Sequence, residues 1–171
     1  MKKLFLFLLI FLFPVIKIDK SLNTLIYQNE EKILVFPVAT GSPLEETKEG
    51  IFKIINKSID PKWFIDGKIY PPYKESKENA LGIRWMGLSW IGYGIHGTNE
   101  PFSIGKNKSG GCIRLQNKDV VILYDYVKIG DNVEIYSSKV DEDLKKGITL
   151  LYNFYNIKLF VEENLSKEER K

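Results

Sequence analysis

Short apolar runs separated by polar turns dominate the chain, and this pattern predicts a mostly β fold. The runs are rich in β-branched and aromatic residues, as strands are. They lie at Thr24–Tyr27, Ile33–Val38, Ile51–Asn56, Ile83–Leu88, Gly92–His96 and Val133–Tyr136. One helix is predicted over Asn117–Val127, where apolar residues recur at helical spacing, with Asn117 as N-cap and Asp119 in the first turn. Many short strands with one or two helices are typical of a mostly β domain.

The N-terminal apolar run is expected to direct export. Lys2 and Lys3 precede an apolar run over Leu4–Ile16. A membrane span needs about 20 such residues, whereas a signal-peptide core needs about 7–15. We therefore predict that residues 1–20 are a signal peptide or an N-terminal membrane anchor, and that the protein works in the periplasm or the extracytoplasmic cell wall. A buried first strand or helix is disfavoured, because no polar residue interrupts the run.

Two further segments lack a clear place in the predicted core. Residues 57–80 contain three prolines among aromatic residues, so a central strand or long helix is excluded and an irregular excursion packed on the sheet is expected. Residues 138–171 are expected to be a C-terminal extension. There, Ile148–Tyr152 and Ile157–Val161 are predicted to form a β-hairpin before a charged tail.

The charge pattern gives no case for nucleic-acid binding. The formal net charge is +3 at pH 7. Residues 1–20 contribute Lys2, Lys3, Lys17 and Lys20 against Asp19, and acidic and basic residues balance in the rest of the chain. A neutral body without a basic stripe does not fit a polyanion partner.

The candidate chemistry lies in one glycine-rich stretch, Gly92–Arg114. It contains the single histidine, His96, and the single cysteine, Cys112. A cysteine attacks as the thiolate, and a histidine within hydrogen-bond reach can take its proton. In an exported protein an unpaired cysteine indicates a reactive thiol or an intermolecular partner. The alternatives are a core histidine and a buried structural cysteine.

Residues around Cys112 could complete an acyl-transfer site. The backbone N–H groups of Gly111 and Cys112 are candidates for an oxyanion hole, and Gly110 and Gly111 would let a substrate approach closely. Arg114 lies on the same side of an extended chain as Cys112. It could bind a substrate carboxylate or form a structural ion pair, and the sequence leaves both open. One histidine and one cysteine are too few for a zinc site, so neither metal nor cofactor is predicted.

The motif H-G-T-x₅-I-G-x₃-S-x-G-C-x-R, from His96 to Arg114, resembles the signature of the YkuD-type L,D-transpeptidase family. The resemblance extends over about residues 23–137. It includes, in order, Phe36-Pro37-Val38-Ala39-Thr40-Gly41, Thr47-x-x-Gly50-x-Phe52, Glu78-Asn79-x-Leu81-Gly82, Arg84-Trp85 and Val133-Glu134-Ile135. Two positions depart from the family pattern, because Gly110 stands where many members have histidine and Lys48 stands where proline is usual.

The resemblance implies a YkuD-like β-sandwich or barrel with a small flanking helix, acting on peptidoglycan stem peptides. Cys112 would attack the carbonyl of the third stem residue and release D-alanine, and the acyl group would pass to an amine of another stem or of a wall-linked acceptor protein. His96 would accept and donate the proton, and the Gly97 carbonyl would orient it. Substrate-binding or oxyanion positions would be Ser109, Gly110, Gly111, Arg114, Thr98 and Trp85.

Two alternative functions remain at this stage. In an L,D-carboxypeptidase the same residues would act and water would replace the acceptor amine. A non-catalytic wall-binding module would instead use an aromatic surface, with Trp63, Trp85, Trp90 and Tyr93 as its candidates. The sequence decides neither the acceptor nor whether the third stem residue is diaminopimelate or lysine.

Overall fold

The computed structural model describes residues 16–154 and is mostly β, as predicted. Twelve strands form in that range: β1 (Ile16–Asp19), β2 (Thr24–Gln28), β3 (Ile33–Pro37), β4 (Thr40–Gly41), β5 (Gly50–Ile59), β6 (Trp63–Ile65), β7 (Lys68–Tyr70), β8 (Arg84–Leu88), β9 (Gly94–His96), β10 (Asn107–Ser109), β11 (Ile113–Arg114) and β12 (Asn132–Tyr136). The flanking helix, α1, covers Asn117–Tyr126, a 3₁₀ turn covers Pro101–Ser103, and residues 142–154 are also helical. None of the helices in residues 16–154 has the length and apolarity to span a membrane.

Eight of the strands form one sheet in the order β11-β9-β8-β5-β12-β1-β2-β3. Neighbours are antiparallel except for β1 with β12 and β9 with β11, which are parallel. Two small sheets, β4 with β10 and β6 with β7, lie outside it. Apolar and polar side chains alternate between the two faces of β1. Ile16 and Ile18 are fully buried on one face, whereas Lys17 lies on the other face and pairs with Glu134.

The core lies between the sheet and α1. Val120, Leu123 and Val127 pack at helical spacing against buried strand residues such as Ile54 and Met86. Each buried Leu, Ile or Met contributes roughly 1.5–3 kcal/mol of transfer free energy, so this helix is held by packing more than by intrinsic propensity.

The first turn of α1 differs from the prediction. Gln116 is the N-cap residue and makes no side-chain cap bond, so the assignment of Asn117 as N-cap is wrong. Asn117 is the first helical residue, and its amide turns away from the helix to bond the backbone of Thr98. Asp119 does lie in the first turn.

Residues 57–80 are more regular than predicted. The strand β5 continues to Ile59, and β6 and β7 form a hairpin of their own. The rings of Trp63 and Tyr70 face each other across this hairpin at 4.9 Å, while Phe64 is 67% exposed. The prolines flank the hairpin, where they interrupt no ladder hydrogen bond.

The structure also changes the predictions for the N-terminal segment and the C-terminal extension. Ile16–Asp19 is a buried strand inside the eight-stranded sheet, so residues 16–20 belong to the folded domain, and not to a separate leader. The predicted strand Ile148–Tyr152 is wrong because those residues are helical. Half-buried positions recur every three or four residues there, and Tyr152 packs against Gly105 and bonds Thr24. The rest of the predicted leader, residues 1–15, and the predicted strand Ile157–Val161 lie outside the described residues.

The two ends of the β6–β7 hairpin are joined by one buried amide. Asn79 Nδ2 donates to the Pro61 carbonyl at 2.9 Å and to the Pro71 carbonyl at 2.8 Å. Its Oδ1 accepts from the Leu81 N–H, and the residue has no exposed surface. The hairpin is therefore positioned from its base by Asn79.

We predict that Asn79→Ala lowers the free energy of unfolding by about 1–3 kcal/mol, since it leaves buried carbonyls unpaired. Asn99→Ala is the matched control, because its amide also contacts two carbonyls, those of Lys77 and Glu78, but in an exposed setting. That control should change stability by less than about 0.5 kcal/mol. Urea denaturation measures both, and equal losses would contradict the prediction.

Candidate active site

Three neighbouring strands place one row of side chains on the same face of the sheet. Trp85 on β8 pairs with His96 on β9, and His96 pairs with Arg114 on β11. Paired residues of adjacent strands point to the same face. The intervening residues Ile95 and Ile113 are fully buried on the core side, so the row faces away from the core.

Cys112 directly precedes β11 and shares the outward face with Arg114. Both line a cleft of about 730 Å³. Its other lining residues come from β5, β6, β8 and the connections before β6, β8, β9 and β11: Ser58, Pro61, Lys62, Trp63, Phe64, Ile65, Leu81, Trp85, Gly92, Tyr93 and Gly110. The single thiol of the chain therefore lies in a sizeable cleft with an aromatic wall and two cations.

His96 is buried beside this cleft, with 3% of its surface exposed. Its ring stacks on Trp85 at 5.7 Å between centroids, and its Nδ1 lies 2.7 Å from the Gly97 carbonyl oxygen. A carbonyl only accepts, so Nδ1 carries the proton and Nε2 keeps the lone pair. Burial, with the Arg114 charge, lowers the pKa of His96 to about 4, so the imidazole is neutral at pH 7.

Cys112 rests as a thiol. Burial raises the pKa of the Cys112 thiol, and a hydrogen bond from the Gly94 backbone and the Arg114 charge only partly oppose this. The imidazole and the thiol are therefore both uncharged at pH 7.

The loop that presents Cys112 is held by two hydroxyl groups. Ser109 Oγ donates to the Cys112 carbonyl and accepts from the Gly111 N–H at 3.2 Å. Thr47 Oγ1 donates to the Gly111 carbonyl at 2.9 Å and accepts from the Gly41 N–H. The expectation that the Gly111 N–H faces substrate is corrected, because Ser109 already binds it.

Arg114 is fixed at one end of its guanidinium. Nη1 lies 2.7 Å from Glu100 Oε2, and the arginine side chain is 15% exposed against 62% for the glutamate. Its Nε is buried with no partner among residues 16–154. The ion pair that the sequence left open is present, and the same arginine also lines the cleft, so the two interpretations coexist.

The aromatic residues divide between cleft and core. Trp63, Trp85 and Tyr93 line the cleft. Trp90 packs partly against the core, and its ring stacks on Tyr93 at 3.5 Å and on Phe52 at 6.0 Å. It supports the wall of the cleft from behind.

Four of the predicted site residues line the cleft: Trp85, Gly110, Cys112 and Arg114. Its lining does not include His96, Gly97 or Gly111, nor does it include Thr98 and Ser109. Thr98 and Ser109 are both buried: the Thr98 N–H donates to Asn117 Oδ1 and the Thr98 hydroxyl accepts from the Glu100 N–H, while Ser109 Oγ donates to the Cys112 carbonyl. Three residues with comparable roles were not predicted as site residues: Thr47, Glu100 and Asn117. Of these three, only Thr47 could have been identified from the sequence, because it belongs to the T-x-x-G-x-F segment.

We predict that Gly111→Ala damages the site whereas Gly110→Ala does not. Gly111 has φ of +101°, and an added Cβ would lie 2.7 Å from the Tyr93 ring. At Gly110 the Cβ would meet the exposed Glu45 carboxylate at 3.2 Å, which can move. The strain at Gly111 should cost about 1–3 kcal/mol. Alkylation kinetics of the single thiol and thermal unfolding measure both effects, and similar behaviour of the two variants would refute the distinction.

Acid should destabilise the protein through His96. Between the unfolded pKa of about 6.5 and the folded pKa of about 4, the unfolded state binds more protons, so stability falls as pH falls through this window. The loss from this residue approaches about 3 kcal/mol by pH 4. Urea denaturation at pH 7 and pH 4 should show a correspondingly smaller loss in His96→Gln. The same acid loss in both proteins would contradict this assignment.

Comparison with known proteins places the fold in a family. Residues 14–135 match the YkuD family model, described as the L,D-transpeptidase catalytic domain. The chain is 37% identical over 131 residues to a Bacillus subtilis relative that bears the name L,D-transpeptidase YqjB, covering 71% of this chain and 70% of that protein. It is 36% identical over 110 residues to the relative named YkuD in Bacillus licheniformis, covering 64% of this chain and 57% of that protein.

A solved structure supports the same placement. The catalytic domain of the E. faecium L,D-transpeptidase acylated by ertapenem superposes with a TM-score of 0.56 at 26% identity, covering 72% of this chain and 96% of that one. The matched region contains the cleft, Cys112 and the row from Trp85 to Arg114. The chain therefore belongs to the YkuD family of L,D-transpeptidase catalytic domains.

Proposed function

We propose that this protein is a peptidoglycan L,D-transpeptidase with Cys112 as nucleophile. The observation that carries the proposal is the single thiol in the cleft, on the same sheet face as a buried neutral histidine and an arginine. Family membership makes peptidoglycan stem peptides the substrate class. Because that substrate lies outside the cytoplasm, the proposal includes an extracytoplasmic site of action.

The protonation states of His96 and Cys112 are compatible with acyl transfer. Nε2 of neutral His96 takes the proton of the Cys112 thiol as sulfur attacks the carbonyl carbon of the third stem residue. The S–C bond forms, the C–N bond to D-alanine breaks, and His96 returns the proton to the leaving amine. The acceptor amine then attacks the thioester carbon and gives its proton to His96. The new C–N bond forms, the C–S bond breaks, and His96 returns the proton to the Cys112 sulfur.

The walls of the cleft suit an anionic peptide. Arg114 and Lys62 supply positive charge, and Trp63, Trp85 and Tyr93 supply broad apolar faces. An arginine fork binds a carboxylate in a fixed orientation, which would direct the scissile carbonyl toward Cys112. The ion pair with Glu100 orients the guanidinium without covering the whole of it.

Hydrolysis of the same bond uses the same residues, so the geometry alone does not separate the carboxypeptidase from the transpeptidase. A protein that only binds the cell wall requires neither a buried neutral histidine nor a thiol in its cleft. The products identify the reaction, and the acceptor amine can be read from the cross-linked product.

The test incubates the purified protein with disaccharide tetrapeptides and follows the products by mass spectrometry. Wild type should release D-alanine and form cross-linked dimers. Cys112→Ala should lose at least about 10³-fold in rate, and His96→Gln about 10²–10⁴-fold. Ertapenem should add to wild type and not to Cys112→Ala, since it acylates the E. faecium relative.

The control for these losses is Asn99→Ala, which changes a loop residue outside the cleft lining and should keep the wild-type rate. Release of D-alanine without dimers would identify the carboxypeptidase. No turnover and no adduct in wild type would refute the enzyme proposal.

A further inference from the structure

A side-chain amide at the start of α1 holds the turn that follows His96. Asn117 Oδ1 accepts from the Thr98 N–H at 3.1 Å, and Asn117 Nδ2 donates to the Thr98 carbonyl at 2.8 Å. Both backbone groups of one residue are thus bound by one amide that is 19 residues away in sequence. Such a two-point contact fixes the rotation of the backbone on both sides of Thr98.

This contact reaches His96 through a single peptide plane. The Thr98 N–H and the Gly97 carbonyl belong to the same planar peptide unit and point in opposite directions. The Gly97 carbonyl is the group that accepts from His96 Nδ1 at 2.7 Å. Fixing the N–H end of the plane against Asn117 therefore aims the carbonyl end at the imidazole.

The space around the amide is built for this contact. A Cβ on Gly97 or on Gly82 would lie 2.2 Å from Asn117 Oδ1. Two glycines thus leave room for the amide oxygen beside the turn, where any larger residue would displace it. Gly82 also has φ of +64°, a conformation that suits glycine.

We propose that Asn117 is a positioning residue for the reaction, which sets the tautomer and orientation of His96 by holding the Gly97–Thr98 peptide plane. The inference rests on the proposed function for its catalytic consequence. Its structural part, the location of the histidine proton on Nδ1, is independent of any activity.

The single histidine makes a direct test feasible. Nitrogen-15 NMR of the full chain reports one imidazole, and wild type should show a protected proton on Nδ1. Asn117→Leu removes both amide contacts and should lose that protected signal, with kcat/KM falling about 100-fold through kcat. Asn117→Asp keeps an oxygen that accepts from the Thr98 N–H and should retain the signal in part.

Asn23→Ala is the matched control, because its buried amide also binds loop groups, the Gly105 carbonyl and Asn107 Oδ1, on another part of the fold. It should lose stability and leave the His96 signal unchanged. An unchanged Nδ1–H signal in folded Asn117→Leu, or equal loss in the Leu and Asp variants, would overturn the inference. If wild type shows the signal but no turnover, the proposed function fails and the positioning contact stands.

Discussion

The parallel pairing of β9 with β11 is the contact on which the site depends. These strands are three and two residues long, and their register sets Arg114 beside His96 and brings Cys112 onto the same face. Parallel neighbours need a crossover connection of about a dozen or more residues, which is usually an α-helix. Here the loop between them makes the crossover with a 3₁₀ turn and the short strand β10.

Such a loop must be fixed by contacts other than a long ladder. β10 pairs with β4, Thr47 and Ser109 bind the backbone around Gly111, and Asn117 binds the backbone after His96. The Ser109 bonds are local, but the other contacts join segments distant in sequence, so they offset the entropic cost of closing the loop where the chain approaches the site. The placement of Cys112 and of His96 therefore depends on contacts from several parts of the domain.

The sequence predicted the strand content and the family because both leave local signals. β-branched runs indicated β2, β3 and β8, and the motif from His96 to Arg114 indicated the family. The sequence did not reveal contacts between residues far apart in the chain. Asparagine is a favoured N-cap residue, and only the fold shows that the Asn117 amide binds Thr98. Residues 148–152 were predicted to be a strand and are helical, because a short apolar run is compatible with either structure. The buried strand at Ile16 was hidden within an apolar run that also fits a leader.

The adjacent glycines before Cys112 serve different physical purposes. At Gly111 the positive φ and the Tyr93 ring exclude a side chain, so this glycine is a condition for the loop conformation. At Gly110 no such φ applies, and the nearest atom is the carboxylate of exposed Glu45. A histidine at this position would therefore displace Glu45 and narrow the cleft without altering the backbone that presents Cys112. The departure at Gly110 thus affects the size of the cleft, and the placement of Cys112 does not depend on it.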